Sequence, residues 1–251
     1  MPNFDERLDL GKKSQDDMII DEHLIRYELA GQFVDNKIVL DAACGSGYGS
    51  AILAKNARSV LALDIDKQAI AEASEHYRQA NLKFEVEDVE KLAGVADKSM
   101  EVVVSFETIE HLKNYQGFLK QIARVLTDGG LAIVSTPNIV RFGQTNLFHV
   151  KEFTREEFKA ALLAEFKEVV ILDQVNALAS IISGGDNIKA NIRTKTEPWY
   201  FIALASNKII TEKPETVISL NQQALDRREA NPAWQLANKL YKILSKLKII
   251  R

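Results

Sequence analysis

The stretch Val39-Leu40-Asp41-Ala42-Ala43-Cys44-Gly45-Ser46-Gly47-Tyr48-Gly49 constrains the fold more than any other part of the chain. An apolar run of the kind that forms a buried strand passes directly into glycines at every second position, with an acid, Asp41, just ahead of them. Gly45, Gly47 and Gly49 remove side chains where the backbone must turn after a strand and where a ligand must approach the main chain, and a helix start follows. A second apolar run, Val60-Leu61-Ala62-Leu63-Asp64-Ile65-Asp66, ends in Asp64, about 20 residues on, where an acid can accept from both ribose hydroxyls. The pair predicts a strand–loop–helix–strand unit built to hold an adenosine.

The rest of the chain repeats that alternation. Strands are predicted at Ile38–Ala42, Ser59–Leu63, Leu82–Val86, Glu101–Ser105 and Leu131–Ser135, with helices at Tyr48–Asn56, Gln68–Gln79 and Tyr115–Leu126 between them. Such alternation implies a parallel sheet with helices on both faces. Thr127-Asp128-Gly129-Gly130 predicts a turn before the fifth strand. An amphipathic helix over Asp21–Phe33 leads into the first strand, and residues 1–20 are expected to form an arm or lid. Thr154 and Glu157 have the spacing of a capping box and open a helix through Glu165. Two further strands, Val169–Leu172 and Trp199–Ala205, are separated by the polar loop Ser183–Asn187, so the main domain is expected over residues 21–207. Residues 208–251 read as a linker and a helical C-terminal extension, with a helix over Ser219–Arg228 and another opening at Pro232. In the latter, Trp234, Ala237, Leu240, Leu244 and Leu247 recur at helical spacing beside Lys239, Lys242, Lys246, Lys248 and Arg251. A basic amphipathic helix of this kind packs on its own domain or a twin subunit in a homodimer, or makes peripheral membrane contact.

Asp41-x-x-Cys44-Gly45-x-Gly47-x-Gly49, followed by Leu63-Asp64-Ile65, resembles the class I S-adenosylmethionine-dependent methyltransferases. A dehydrogenase fingerprint would read Gly-x-Gly-x-x-Gly and usually lacks the leading acid. The resemblance runs from roughly Leu24 to Asn207 and implies a Rossmann-like α/β fold. Its seven-stranded mixed sheet would be mostly parallel with an antiparallel last strand. It also implies that Asp41 lies near the methionine amino group, that Ala43, Gly45, Gly47, Tyr48 and Gly49 hug the cofactor, and that Asp64 and Ile65 hold its ribose side. Asp88 and Val89 would meet the adenine, Phe106 would line the pocket, and Arg26 or Tyr27 would close over the cofactor carboxylate.

Methyl transfer from a sulfonium mostly requires alignment and exclusion of water, so few catalytic side chains are obligatory, although a hydroxyl acceptor of high pKa needs a base. Ser105-Phe106-Glu107-Thr108-Ile109-Glu110-His111 follows the fourth strand, where the family keeps its substrate-facing loop. His111 is one candidate base. Glu107 is a candidate substrate contact, as is Asn138 after the fifth strand. Glu107, Glu110 and His111 together resemble the acid–imidazole cluster of ubiquinone-pathway O-methyltransferases and RNA 3′-end methyltransferases, so a divalent metal is conceivable but not favoured. His149, in Asn146-Leu147-Phe148-His149-Val150-Lys151-Glu152-Phe153-Thr154, is the second candidate base. That segment is reminiscent of methyltransferases of glycan or cell-surface polysaccharide pathways.

The chain has 251 residues, a formal charge of −3 and one cysteine, Cys44. This suits one α/β domain plus an appendage, gives no global attraction for nucleic acid and excludes an intramolecular disulfide. No Asn-Pro-Pro-Tyr or Asp-Pro-Pro-Tyr follows the fourth strand, which further disfavours nucleic-acid bases as acceptors. The first residues lack a cationic and apolar signal layout, and a cytoplasmic enzyme is expected. The expected activity is O-methylation of a small polar acceptor such as a sugar or glycan intermediate. The alternatives are a quinone-like or lipid-linked acceptor at a membrane surface and a non-catalytic cofactor-binding regulatory partner.

Overall fold

The computed structural model describes residues 17–143, 146, 148–176, 197–211 and 214. Of the arm expected over residues 1–20, residues 17–20 instead begin the first helix, and residues 1–16, the Ser183–Asn187 loop and the helices expected from Ser219 onward lie outside the described residues. In chain order the elements are α1 (Asp17–Gly31), β1 (Ile38–Ala42), α2 (Tyr48–Leu53), β2 (Ser59–Asp64), α3 (Lys67–His76), β3 (Leu82–Val86), β4 (Met100–Ser105), a 3-10 turn at Ile109–His111, α4 (Tyr115–Val125), β5 (Leu126–Pro137), α5 (Ile139–Phe142), α6 (Arg155–Leu163), β6 (Glu168–Gln174) and β7 (Tyr200–Ser206). The seven strands form one sheet in the order β3-β2-β1-β4-β5-β7-β6, parallel except that β7 runs antiparallel to both β5 and β6.

Strand alternation divides the core into two layers. Leu40, Ala42, Val103, Ala132, Val134, Phe201 and Ala203 pack on one face with Phe118, Leu119 and Ile122 of α4 and Phe158 and Leu162 of α6. Val39, Val60, Val102, Val104, Ile133, Ile202 and Leu204 face the opposite way, against Tyr27, Ala30 and Phe33 of the α1 region and Leu53 of α2. Ile70 of α3 joins Ala62 on this second face. The period of two is what a strand covered on both sides must show, and every residue of β7 is accordingly buried.

Several boundaries differ from the sequence expectation for local reasons. The helix expected from Asp21 begins at Asp17 and ends at Gly31. The helix expected through Asn56 ends at Leu53, and the one expected through Gln79 ends at His76, because Tyr77 leaves helical geometry at φ −115°, ψ 97°. Thr127–Gly130 is not a free-standing turn, since β5 starts directly from α4 at Leu126. Leu126 pairs with Met100 and Leu131 with Val102, so the four residues between them form a bulge. Thr154 caps α6 with the expected reciprocal bonds to Glu157. No described helix is long and apolar enough to cross a membrane.

Two glycines of the motif serve packing. Gly47 has φ +80°, and a Cβ there would come within 2.7 Å of Ala73 and Phe84. A Cβ at Gly49 would fall inside the Tyr27 ring, joining α1 to α2 at van der Waals contact. Gly49→Ala is therefore expected to destabilise the protein by about 1–3 kcal/mol in urea unfolding, through overpacking. Gly31→Ala, where a Cβ meets nothing within 4 Å, should leave stability unchanged or raise it by up to about 1 kcal/mol.

Candidate active site

Ligands bind open α/β sheets at the carboxyl ends of the parallel strands, and the sequence-predicted residues collect there. After β1, Ala43 adopts φ 68° and Gly45 φ 55°, which turns the chain so that the Gly45 N–H donates to Asp64 Oδ2 at 2.9 Å. Asp64 Oδ1 accepts from the Asp66 N–H at 2.9 Å. The Asp64 carboxylate is thus fixed from two sides, with lone pairs remaining for further donors. A Cβ on Gly45 would meet nothing within 4 Å, so this glycine, unlike Gly47 and Gly49, leaves its backbone facing open space. Ile65, which follows Asp64, is 68% exposed, and Val86, the residue of β3 paired with Asp64, is exposed as well. Asp88 beyond β3 accepts from the Glu90 N–H and pairs with Lys91 at 2.8 Å, which holds its carboxyl below the ordinary range, while Val89 is buried.

Asp41 lies deeper than its neighbours in the motif. It is fully buried and accepts from Ser50 Oγ at 2.6 Å and from Tyr27 Oη at 3.4 Å. Burial pushes its pKa up to about 7 despite those two hydrogen bonds. Tyr27 is committed to this inner layer, its ring standing edge-on to Tyr48 and to Phe106. Burial also raises the Cys44 thiol, which disfavours its thiolate.

Arg26, one residue earlier, reaches the site instead. Its side chain is fully buried, with Nε donating to Gln174 Oε1 at 2.7 Å and the guanidinium 4.1 Å above the Tyr200 ring. Gln174 ends β6, Tyr200 begins the antiparallel β7, and Glu107 follows β4, so the guanidinium lies over the carboxyl edge of the sheet. Glu107 Oε1 is 3.6 Å from Arg26 Nη1, an ion pair too long for a hydrogen bond. Both Nη1 and Nη2 are buried without a hydrogen-bond partner. Glu22 lies on the same helix, accepting from Tyr200 Oη at 2.7 Å and from Asn176, and its pKa is raised by burial. In the sequence, Arg26 is, with Tyr27, a candidate for the cofactor carboxylate on a helix that reads as amphipathic. The only hint of its burial is its place among Leu24, Tyr27 and Leu29.

The loop after β4 divides its acids. Glu107 is held at φ 50°, its N–H donating to Ser135 Oγ at 3.1 Å and its Oε1 accepting from the same hydroxyl at 2.7 Å, so it belongs with Arg26. Glu110 is fully buried, with Oε2 accepting from Thr136 Oγ1 at 3.3 Å and Oε1 unpartnered; burial first, then the nearby Glu107 charge, raise its pKa well above the ordinary value. His111 and His149 stack edge-on with ring centroids 4.9 Å apart. One ligand atom from each of Glu110, His111 and His149 lies within 4.8 Å of the others, a grouping that replaces Glu107 of the expected metal set by His149. An unpartnered buried carboxylate oxygen beside two imidazoles fits a divalent cation chemically. Asn138 is committed to the chain, accepting from the Val140 N–H at 3.0 Å and donating to Pro198 O at 2.9 Å.

Residues 40–134 match a family model described as a methyltransferase domain. A Mycobacterium tuberculosis protein named "Probable S-adenosylmethionine-dependent methyltransferase Rv3030" is 35% identical over 160 residues, covering 59% of this chain and 56% of that one. The ubiquinone biosynthesis O-methyltransferase of Rickettsia typhi is 33% identical over 105 residues, covering 40% of this chain and 41% of its own. The chain thus spans little more than half the length of the former relative and less of the latter. Among solved structures, a chain of the Haloferax volcanii complex of the Trm112 methyltransferase activator with a methyltransferase aligns at TM-score 0.62 and 17% identity, covering 78% of this chain and 94% of that one. A Thermotoga maritima S-adenosylmethionine-dependent methyltransferase aligns at TM-score 0.57 and 16% identity, covering 74% and 89%. At those identities the likeness is one of fold. Over residues 40–134 the chain is thus similar to methyltransferase domains, and the curated relatives it matches include proteins named as S-adenosylmethionine-dependent methyltransferases.

The buried Asp41 makes stability pH-dependent in a definite direction. Its folded pKa of about 7 exceeds its ordinary 3.8, so between those values the folded chain keeps a proton that the unfolded chain releases, and stability falls as pH rises. Asp41→Asn cannot ionise and still offers Ser50 an acceptor. Its stability relative to the wild type should therefore climb from about pH 4 to pH 7 and then level off, read from denaturation midpoints. Parallel curves for the two proteins would contradict the assignment.

Proposed function

We propose that this protein is an S-adenosylmethionine-dependent O-methyltransferase of a small hydroxyl-bearing acceptor. The observation that carries the proposal is the coincidence, on one edge of the sheet, of the Gly45–Asp64 cradle with the two unpartnered nitrogens of the buried Arg26. The residues fit the cofactor. Asp64 would accept from the ribose hydroxyls, the Gly45 backbone would lie against the nucleoside, and Arg26 would bind the amino-acid carboxylate through a charge-assisted pair. When bound, S-adenosylmethionine supplies an electrophilic methyl carbon and a neutral thioether leaving group.

The chain's own residues then have to hold the acceptor in line and receive its proton. His149 and His111 face each other beside Glu110 and can take that proton, which argues for a hydroxyl acceptor over one already ionised. The same three side chains support a second reading, in which a divalent ion lowers the acceptor's pKa; Glu110, His111 and His149 would be its ligands. The acceptor class is a sugar or glycan intermediate on the sequence resemblance. Exposed Phe148 and Val150, which flank His149 in the chain, instead favour an acceptor with an apolar part, such as a quinone-like or lipid-linked molecule.

Calorimetric titration with S-adenosylmethionine should show binding without preference for NAD, and Asp64→Ala should weaken it roughly 10- to 100-fold. Unchanged affinity in that variant would remove the ribose assignment. An acceptor screen with and without magnesium should then find His149→Ala normal in cofactor affinity and about 100- to 10,000-fold slower in turnover.

A further inference from the structure

Asn146, His149 and Glu152 form a hydrogen-bonded series whose direction can be read from the backbone. The Phe148 N–H donates to Asn146 Oδ1 at 3.0 Å, which identifies that atom as the amide oxygen and leaves Nδ2 as the donor. Asn146 Nδ2 lies 2.9 Å from His149 Nε2, so Nε2 must accept. Nδ1 therefore carries the proton and donates it to Glu152 Oε1 at 2.8 Å. The Glu152 side chain is 1% exposed and its Oε2 has no hydrogen-bond partner, while His149 is 11% exposed. A buried carboxylate beside an imidazole is costly unless it has such a donor to accept from.

We propose that Glu152 is a positioning residue that fixes His149 in the Nδ1–H form, so that the Nε2 lone pair, which here accepts from Asn146, is kept as the one that receives the acceptor's proton. The inference rests on the methyltransferase reading for its consequence, although not for its geometry. The Asn146 amide occupies the position from which an acceptor hydroxyl would donate. When such a hydroxyl takes its place, the O–H bond would break and the proton pass to Nε2, while the oxygen electron pair would bond the methyl carbon and the sulfur–carbon pair would leave with the thioether. Nδ1–H stays on Glu152, whose negative charge stabilises the imidazolium that results. The same lone pair would serve a divalent ion, because an imidazole held by a carboxylate at one nitrogen is oriented to ligate through the other. Glu152 follows Lys151 in the sequence and reads there as half of a surface charge pair.

The test is imidazole nitrogen NMR on the ion-free full chain at about pH 8.5, where an ordinary histidine is neutral. The wild type should show His149 protonated at Nδ1. Glu152→Gln, whose amide oxygen can still accept, should keep that form; in Glu152→Ala only the Asn146 amide opposes the Nε2–H form, which should gain population as that amide swings away. With an acceptor in hand, Glu152→Ala should lower kcat about 10- to 100-fold with cofactor affinity unchanged, and Glu152→Gln should restore part of the loss. His149 protonated at Nε2 in the wild type, or identical His149 signals in the wild type and Glu152→Ala, would overturn the proposal. Because the spectra need neither cofactor nor acceptor, they stand even if no methyl transfer is found.

Discussion

A cation with two unpaired nitrogens lies in the core of this molecule, and much of the site is arranged around it. Arg26 keeps one hydrogen bond, to Gln174, and rests on the Tyr200 ring, a contact of the kind worth about 2 kcal/mol when desolvated. Glu107 supplies charge at 3.6 Å without a hydrogen bond. Leaving donors of a charged group buried and unmade costs about 1–3 kcal/mol or more. A bound carboxylate would remove that cost, so cofactor binding would also stabilise the fold.

The backbone shows strain in the same region. Ala43 and Glu107 both adopt left-handed geometry although neither is glycine, and each lies just past the end of a parallel strand at the mouth of the site. At Ala43 the turn delivers Gly45 to Asp64, and at Glu107 it aims the carboxylate at Ser135 and Arg26. The two-layer core holds both loops against a sheet whose central strands are closed on each face. Rigid strands thereby fix the positions of groups that would otherwise relax.

The sheet was legible because its signal is local: apolar runs of strand length alternate with helical periods, and every expected strand lies within an observed one except the last, expected from Trp199 and observed from Tyr200. Helix ends were less so, since Leu53 and His76 end their helices through geometry that composition does not encode. In the site, the glycine motif and Asp64 were legible from their spacing, but the hydrogen bond between Gly45 and Asp64 was not. Nor were the packing contacts at Gly47 and Gly49, because a glycine admitting a neighbouring side chain reads the same as one admitting a ligand. Glu152 was the least legible, and Arg26 was legible only as one of two with Tyr27. Glu152 follows Lys151 in sequence, and only the three-dimensional packing distinguishes a buried functional group from a solvated pair.

The central claim is that Arg26 completes its hydrogen bonds on the cofactor's carboxylate. Comparing S-adenosylhomocysteine with 5′-methylthioadenosine, which lacks the amino-acid end, on the wild type and Arg26→Gln tests it by calorimetry. The wild type should bind the former roughly 10-fold or more tightly, the advantage should largely vanish in the variant, and the affinity for 5′-methylthioadenosine should hardly change. An advantage that persists undiminished in Arg26→Gln would contradict the account.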